Sequence, residues 1–377
     1  MLGFKELNCR QVEGRVIIDE DAKEVLPYKF MSLLPKRDNN EYIVPSIKQK
    51  EGNQQDSLQP TAELTDEQAR LCPASIGCHS LSDMQLYAAS VERLTPVAWD
   101  VGAMDHLVLD EKKKDILKGL VGQHYNSQDH DMRSDIIDGK GKSLIILLHG
   151  PPGVGKTLTA ECVSEAVKRP LVSLSIGDLV WEDKRLQQRL QVEFNRARDW
   201  NAILLLDEAD VVLEARSFED VRRNGIVTVF LRQLEYFQGV LFLTSNRVST
   251  MDVAFQSRIQ IGISFREMTP ATRAQIWERL LSLNGRDKMI GPSAVEDVKH
   301  RLGKFQLNGR QIRNVLNVAD GLAFNEYGIP GKLKYRHIQE AVETAVEFQK
   351  MLDESKKRMK NEQTVWAMYR GDNDFSI

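Results

Sequence analysis

The chain has 377 residues, of which 42% are hydrophobic and 28% are charged, and its formal net charge is −3. This composition is that of an ordinary soluble globular protein with room for two or three compact units. The slight acidic excess argues against a nucleic-acid partner, because domains that bind nucleic acid are usually strongly basic.

The sequence predicts no membrane segment. The N-terminus lacks the sustained apolar stretch of a signal peptide, and the longest apolar run, Leu144–Leu148, is far shorter than the about 18 residues of a transmembrane helix. The cysteines, Cys9, Cys72, Cys78 and Cys162, do not supply a zinc site, so we expect free thiols in a reducing compartment. We therefore predict a cytoplasmic or nuclear protein.

Residues 1–95 have the weakest structural signals in the chain. Gly14–Asp19 predicts a short strand, and residues 38–64 are rich in Asn, Gln, Lys, Glu, Ser and Pro, which predicts a linker or a disordered segment. Thr65 is an N-cap signal for a short helix that ends near Cys72. We expect a short, poorly defined N-terminal region that is truncated or partly disordered.

Residues 150–157, with the sequence GPPGVGKT, form the strongest motif, a P-loop. They follow the apolar run Ser143–His149 and precede a predicted helix at 157–167, the context in which backbone N–H groups bind phosphates. Lys156 would reach the β- and γ-phosphates of ATP, and Thr157 would offer its hydroxyl to Mg²⁺. A glycine-rich turn without a ligand is the alternative. The nucleotide-binding residues predicted here are Gly150, Pro151, Pro152, Gly153, Val154, Gly155, Lys156, Thr157 and Leu158.

A second apolar run ends in acidic residues. Residues 202–206 are apolar and precede Asp207 and Glu208, a pattern that predicts a strand buried on both faces of a parallel sheet. Asp207 would hold Mg²⁺ directly or through water, and Glu208 would orient and polarise the attacking water. A strand followed by a solvated acidic loop is the alternative.

Strands alternate with helices through the middle of the chain, and only helices follow Pro270. The other predicted strands are 171–176, 240–244 and 259–265, and the helices between them are 184–198 and 220–234. The helices predicted after Pro270 are 271–283, 294–302, 309–325 and 335–351. This order predicts an α/β fold, with a parallel sheet flanked by helices and a small all-α C-terminal lid. The predicted domains are the N-terminal region 1–95, the P-loop core 96–268, the lid 269–352 and a charged tail 353–377.

Three further segments carry a resemblance to a known family. Trp99–Gly102 resembles a W-D-[DV]-[IV]-G segment that lies against adenine, and Phe242–Arg247 resembles a core strand that ends in the sensor 1 asparagine. Met251–Arg258 resembles the stretch that ends in an arginine finger. From about Thr95 to about Phe348 the chain is similar to an AAA ATPase of the AAA+ superfamily. It looks closest to fungal-type AAA domain proteins and more distantly similar to the Bcs1-like group.

The fungal-type resemblance also concerns the N-terminus. In those proteins a stretch similar to Leu64–Cys72 closes a larger N-terminal domain, so that domain looks truncated here. A naturally short version and an incomplete gene model both fit the sequence.

The resemblance implies contacts on both sides of the nucleotide. Asp100, Val101 and Gly102 would contribute to nucleotide binding beside the adenine. Asn246 lies at a predicted strand end, where its amide could bond the attacking water or the γ-phosphate. A turn asparagine that caps its own loop is the alternative.

Two arginines are implied to act on the γ-phosphate. Arg258 would serve ATP bound by a neighbouring subunit, as arginine fingers do, and a surface ion pair is the alternative. Arg310, after the helix-start signal Asn308, is similar to a sensor 2 arginine that contacts the γ-phosphate of its own subunit. Mainstream AAA members usually have a small residue there. A solvated helix face for Arg310 or Arg313 is the alternative.

The implied function is Mg²⁺-dependent ATP hydrolysis by a homo-oligomeric ring, a hexamer, that remodels or disassembles a protein client. Trp181, in the predicted loop 176–183, would grip substrate or pack against its own helix. Arg216, Arg222 and Arg223 would couple neighbouring subunits or lie on a solvated face. A nucleic-acid remodeller or loader and a nucleotide-gated scaffold with little turnover remain alternatives. The predicted catalytic residues are Lys156, Glu208, Asn246 and Arg258.

Overall fold

The computed structural model describes residues 14–18, 74–126, 143–175, 186–214, 221–247, 251–328 and 332–370. The chain divides into two compact units, Met1–Trp99 and Asp100–Ile377. The predicted linker at 38–64 and the helix starting at Thr65 lie outside the described residues.

The first unit contains a three-stranded antiparallel sheet in the order β1-β2-β3. Its strands are β1 (Val16–Ile17), β2 (Ser75–Ser80) and β3 (Leu86–Ser90). Strand β1 confirms the strand predicted within Gly14–Asp19. Strands β2 and β3 were not predicted, because their small and polar residues give little of the β-branched and aromatic enrichment that marks a strand.

The second unit is built on a five-stranded parallel sheet in the order β5-β6-β7-β4-β8. The strands are β4 (Leu144–His149), β5 (Leu171–Ser175), β6 (Ile203–Asp207), β7 (Val240–Ser245) and β8 (Ile261–Ser264). The three central strands, β6, β7 and β4, are almost wholly buried, which explains their uninterrupted apolar sequences. This sheet confirms the predicted α/β fold.

Helices cover both faces of this sheet. Leu117, Val121 and Val163 join the cluster that contains Ile203 and Leu205, and the alternate residues of β6 therefore face the other side. The helices of this part are α1 (Glu111–Asn126), α2 (Lys156–Val167), α3 (Leu186–Asp199), α4 (Asp210–Leu213), α5 (Val221–Tyr236) and α6 (Val253–Gln256). A 3₁₀ turn at Ala103–His106 packs on α2. The carboxyl ends of β4, β6 and β7 thus lie together at one edge, where ligands of parallel sheets bind.

The C-terminal part is helical, as predicted, with a core around the fully buried Trp277 and Leu316. The helices are α7 (Pro270–Ser282), α8 (Arg286–Ile290), α9 (Pro292–Arg301), α10 (Gly309–Tyr327) and α11 (Tyr335–Arg370). The short α8 was not predicted, and α11 runs without a break through the predicted boundary between lid and tail.

Two cysteines, Cys78 and Cys162, are buried free thiols, as expected. Burial raises the pKa of the Cys162 thiol to about 11, so this group is not a reactive thiolate at neutral pH. Cys9 and Cys72 lie outside the described residues. Within the described part of the chain, none of the helices is both long and apolar enough to cross a membrane.

Candidate active site

The P-loop turns from β4 into α2 with a tightly constrained backbone. Gly150 has φ 147°, and a Cβ there would lie 2.2 Å from the backbone oxygen of Phe265. Gly153 has φ 76°, and a Cβ there would lie 2.5 Å from Cγ of Asn308. Side chains are therefore excluded at both positions by backbone conformation and by contact. Helix α2 begins at Lys156, so its N-terminal end belongs to the loop.

Lys156 connects the P-loop to the end of β7. Its Nζ donates hydrogen bonds to the Gly150 oxygen at 2.7 Å, the Pro151 oxygen at 2.8 Å and Oδ1 of Asn246 at 2.8 Å. The contact with Asn246 brings together two predicted catalytic residues that are far apart in sequence. The phosphate-side role of Asn246 stays a prediction.

The surroundings of Lys156 shift the pKa of its ammonium group. Burial lowers the pKa of the ammonium group, the carboxylates of Asp207 and Asp210 oppose that effect, and Arg310 adds to the lowering. Because the side chain is only 8% exposed, phosphate oxygens that replace the loop carbonyls would meet a largely desolvated cation.

Thr157 and Asp207, the two predicted metal ligands, lie side by side. The Thr157 hydroxyl is 3.1 Å from both carboxylate oxygens of Asp207. A second hydroxyl, Oγ1 of Thr244 on β7, donates to Oδ1 of Asp207 at 2.5 Å. The carboxylate is thus oriented from both α2 and β7, and Thr244 was not predicted from the sequence.

Glu208 follows the strand with an unusual backbone. Its φ is 54°, in the left-handed region that residues other than glycine seldom adopt. Its N–H donates to Oγ1 of Thr244 at 2.9 Å, and the next N–H, of Ala209, donates to the Thr244 carbonyl at 2.9 Å. The sharp turn leaves Glu208 exposed at the sheet edge beside Asp207, where a water molecule could reach its carboxylate.

Asp210 holds the loop that carries Asn246. One of its oxygens, Oδ1, accepts hydrogen bonds from the Ser245 hydroxyl at 2.6 Å and from the N–H groups of Asn246 at 3.0 Å and Arg247 at 3.1 Å. Asp210 was not predicted as a site residue. A carboxylate placed three residues after Asp207, together with the polar end Ser245-Asn246 of the next strand, was the available signal.

The lid reaches the P-loop through the start of α10. The N–H of Gly309 donates to the Gly153 oxygen at 3.1 Å. Asn308 caps α10 in a reciprocal pair with Gln311, which confirms the predicted helix start. The positive ends of α2 and α10 therefore both lie at the P-loop. Arg310, the second residue of α10, is exposed and is near enough to Lys156 to affect its pKa.

The predicted adenine-side residues lie beside α2. The N–H of Asp100 donates to Oε2 of Glu165 at 2.9 Å, and the 3₁₀ turn that follows Gly102 packs on the same helix. Val101 is 52% exposed and Leu158 is 38% exposed, so both apolar side chains are open to a ligand. The nucleotide-binding role of these residues remains a prediction.

The Arg258 guanidinium makes two contacts on its own chain. Its Nη1 donates to the Ala254 oxygen at 2.8 Å, and its Nη2 donates to Oε1 of Glu235 at 2.5 Å. The ion pair that was the alternative to an arginine finger is therefore present within this chain. Neither contact involves the P-loop, Asp207 or Asn246.

Two further predictions concern residues that carry no side-chain description. Trp181 and Arg216 lie outside the described residues. Arg222 and Arg223 fall in the first turn of α5, and their side chains are also outside the described part.

The residues at Thr157 and Asp207 fit Mg²⁺, which prefers oxygen ligands and usually binds through one or two carboxylates together with substrate phosphates and water. The described residues contain no cluster of three or more His, Cys, Asp or Glu side chains that could hold a metal ion by themselves. The pair therefore suits a metal that arrives with a phosphate rather than one enclosed by protein ligands.

Comparison with known proteins identifies the middle of the chain. Residues 146–267 match the model of the family described as "ATPase family associated with various cellular activities (AAA)". The chain is 34% identical to Fidgetin-like protein 1 of Caenorhabditis briggsae over 162 residues, which are 40% of this chain and 27% of that protein. It is 25% identical to the ATP-dependent zinc metalloprotease FtsH of Lachnoclostridium phytofermentans over 226 residues, 56% of this chain and 37% of that protein.

A third relative and a solved structure agree with that match. The Lon protease of Flavobacterium johnsoniae is 25% identical over 254 residues, 59% of this chain and 30% of that protein. A crystal structure of the FIGL-1 AAA domain in complex with ADP matches with a TM-score of 0.50 and 22% identity, covering 66% of this chain and 86% of that one. This structural similarity supports the fold. Residues 146–267 thus match an AAA ATPase domain, as predicted, and the chain spans about a third of the length of these curated relatives.

Proposed function

We propose that this chain, which carries an AAA ATPase domain, hydrolyses ATP to ADP and phosphate and couples that reaction to remodelling of a protein client. The observation that supports this most directly is the joining of Lys156 to Asn246, next to the pair Thr157–Asp207. Four residues from three separate elements thereby converge on the end of the P-loop. The neighbouring FIGL-1 structure contains ADP, which agrees with a nucleotide as the ligand of this fold.

The proposed chemistry follows from the placement of charge. The P-loop N–H groups, the N-terminal ends of α2 and α10, and Lys156 would stabilise the phosphate negative charge. Glu208 would accept a hydrogen bond from the attacking water and orient it, and Asn246 would hold that water or the γ-phosphate from the opposite strand. Thr157 and Asp207 would hold Mg²⁺, which would neutralise charge on the phosphate oxygens.

Arg258, the last of the proposed catalytic residues, would come from a second copy of the chain. The Arg258 guanidinium contacts Glu235 and Ala254, and neither of these partners belongs to the P-loop. We therefore assign Arg258 to ATP bound by a neighbouring protomer. A ring, which we propose to be a hexamer, would give every site such a neighbour. Arg310 would instead reach the γ-phosphate of its own subunit from the lid.

We extend the proposal to the kinship, the location and the client of the protein. The closer kinship with fungal-type AAA proteins is supported by residues 64–72, and these lie outside the described part of the chain. A cytoplasmic or nuclear location is supported by the sparse cysteines, which suit a reducing compartment. The client, for which Trp181 is the proposed contact, would be a protein rather than a nucleic acid.

The test is the ATPase rate per protomer as a function of protein concentration, for the wild type and for Glu208→Gln and Arg258→Ala. We expect the rate to rise with concentration as protomers assemble, and both variants to lose it. Mixing the two variants should restore part of the activity, because a site with an intact Glu208 then receives Arg258 from its neighbour.

A control separates the site from general surface charge. Arg301, on α9 of the lid, is 71% exposed and pairs with Asp297 four residues earlier on the same helix, so Arg301→Ala should leave the rate unchanged. A wild type that binds ATP without turnover would support a nucleotide-gated scaffold instead. A rate that is independent of concentration and unaffected by Arg258→Ala would rule out the shared site.

A further inference from the structure

The ion pair between Arg258 and Glu235 joins two elements that the proposed mechanism does not otherwise connect. Glu235 lies in the last turn of α5, and Arg258 lies two residues after α6. One nitrogen of the guanidinium binds the Glu235 carboxylate and another binds the Ala254 carbonyl. Because a guanidinium carries several N–H donors in a rigid plane, two contacts in different directions fix its orientation and leave further N–H groups for another acceptor.

The base of this arrangement is rigid. Phe230 of α5 and Phe255 of α6 are fully buried, with ring centroids 5.9 Å apart. The Asp252 side chain caps α6 by accepting the N–H of Ala254 at 2.8 Å. Glu235 therefore projects from α5, and Arg258 follows α6, in a region where packing fixes the relative position of the two helices.

The same helix α6 is tied to the acidic end of β6. The N–H of Asp252 donates to the Leu213 carbonyl at the end of α4, at 2.8 Å, and Glu214 forms a bridge with Met251. Helix α4 starts at Asp210, the residue that holds the Asn246 loop. These hydrogen bonds link the loop that carries Asn246 to helix α6, which ends two residues before Arg258.

We propose that Glu235 is a positioning residue for Arg258. With the Ala254 carbonyl, it holds the guanidinium so that the remaining N–H groups are presented to a phosphate on a neighbouring copy of the chain. This inference rests on the proposed function, since it concerns the same shared site. It makes Glu235 necessary in the protomer that donates the arginine, and dispensable in the protomer that binds the ATP undergoing hydrolysis.

If the ion pair served stability alone, replacing Glu235 would lower the melting temperature of the protein. The two side chains are 26% and 37% exposed, and ion pairs at such exposure add little to stability. Glu235→Ala and Glu235→Gln should therefore melt within a few degrees of the wild type. If Glu235→Ala fails to fold, Glu235→Gln, which keeps an oxygen acceptor and removes the charge, carries the test.

The experiment uses mixtures of full-length variants. The reference mixture combines Arg258→Ala, which supplies an intact Glu208, with Glu208→Gln, which supplies Arg258. In the second mixture Glu208→Gln also carries Glu235→Ala, so the change lies in the arginine donor. In the third mixture Arg258→Ala also carries Glu235→Ala, so the change lies in the other partner.

We expect the second mixture to show about 10- to 100-fold less ATPase activity than the reference, as expected for a misplaced catalytic group. The third mixture should match the reference, and Glu235→Gln in the donor should cause a smaller loss than Glu235→Ala. A donor change without effect would overturn the inference while leaving the shared site intact, and so would an equal loss in both mixtures.

The reference mixture tests the proposed function separately. If it shows no recovery, although both variants fold and bind ATP, the shared site is wrong and the inference about Glu235 falls with it. As a matched control, Glu278→Gln in the donor removes a carboxylate that pairs with Lys299 on the lid, and it should leave the recovered activity unchanged.

Discussion

The phosphate side of the proposed site, which contains Lys156, Thr157, Asp207 and Asn246, differs from the surroundings of Arg258. The difference lies in how many of the contacts among the site residues one chain supplies. On the phosphate side, Lys156 bonds Asn246, and Thr157 lies against Asp207. Each of these groups is held by partners from a different strand or loop. On the other side, the Arg258 guanidinium bonds the Ala254 carbonyl of α6 and the Glu235 carboxylate. The phosphate side is therefore preorganised within the chain, whereas Arg258 is oriented but contacts none of those groups.

This contrast suggests that the two groups of residues act in different ways. Groups that bind phosphate and metal gain from being fixed before the substrate arrives, because the cost of orienting them is then part of folding. A group that acts on another protomer has to be presented at a surface, and its local partners can only fix its direction. Changes on the phosphate side should therefore act within one chain, and changes near Arg258 should act between chains.

The largest expected effect is that of Glu208→Gln. Loss of the carboxylate should lower the single-turnover rate of ATP cleavage by about 10²- to 10⁴-fold, the usual contribution of a positioned general base. ATP affinity, measured by equilibrium binding, should change little, because Glu208 is exposed and makes no described contact with the P-loop. Loss of binding together with turnover would show that Glu208 supports the phosphate side rather than the water.

The next effect is that of Asp210→Asn. Removing the charge weakens three hydrogen bonds to the Ser245–Arg247 segment and should let Asn246 move away from Lys156. We expect kcat to fall by about 10-fold, because bonds to a charged acceptor contribute about 1.5–3 kcal/mol each and only part of that is lost.

The KM for ATP should change less than kcat in Asp210→Asn. Asp199→Asn is a matched control, since Asp199 is 54% exposed at the end of α3 and pairs with its neighbour Arg198. Equal effects of the two substitutions would contradict the role given to Asp210.

A smaller effect is expected for Arg310→Ala. This exposed arginine on α10 would add one charge contact to the phosphates, and an exposed ion pair is worth about 1 kcal/mol at most. ATP affinity should therefore fall by about 5-fold, with ADP affinity less affected, since the contact is to the γ-phosphate. Equal losses for ATP and ADP would place Arg310 elsewhere in the site.

The smallest effect lies outside both sides of the site. In the lid, hydrogen bonds with His337 and Tyr327 and the charge of Arg336 lower the pKa of the Glu326 carboxyl to about 2. The folded-state pKa lies below the ordinary value of 4.5, so the stabilisation is present above pH 4.5 and is lost as the pH falls towards 2.

Glu326→Gln should therefore lower the melting temperature at pH 7 and lower it less at pH 3, without changing kcat. The exposed Glu347→Gln on α11 is the control and should change neither quantity. A melting temperature lowered equally at both pH values would mean that packing, rather than charge, accounts for the loss.

Much of the fold and of the phosphate side could be predicted because their signals are local. The runs 144–148 and 203–206 are apolar without interruption, as strands buried on both faces are, and the P-loop glycines have conformations that other residues avoid. Strands β2 and β3 were missed because residues such as Ser75 and Gly77 give no β signal of their own. Their pairing supplies the structure.

The residues that support the site were harder to predict. Thr244 looks like an ordinary strand residue, and its role appears only because β7 lies beside β6 and places its hydroxyl against Asp207. Asp210 likewise has a role only because its carboxylate contacts the segment that follows β7. In both cases the partner is distant in sequence, and a hydrogen bond between them leaves no pattern in either segment.

The P-loop, the acidic strand end, the α/β alternation and the helical lid were predictable from the sequence, because each depends on spacing and conformation within a few residues. The folded arrangement of the strands and helices determines which polar groups meet. It joined Lys156 to Asn246, placed the start of α10 on Gly153, and gave Arg258 its partner Glu235. The physical reason is that strand order and helix packing set these distances, and both result from burial summed over the whole core rather than from any local stretch of the chain.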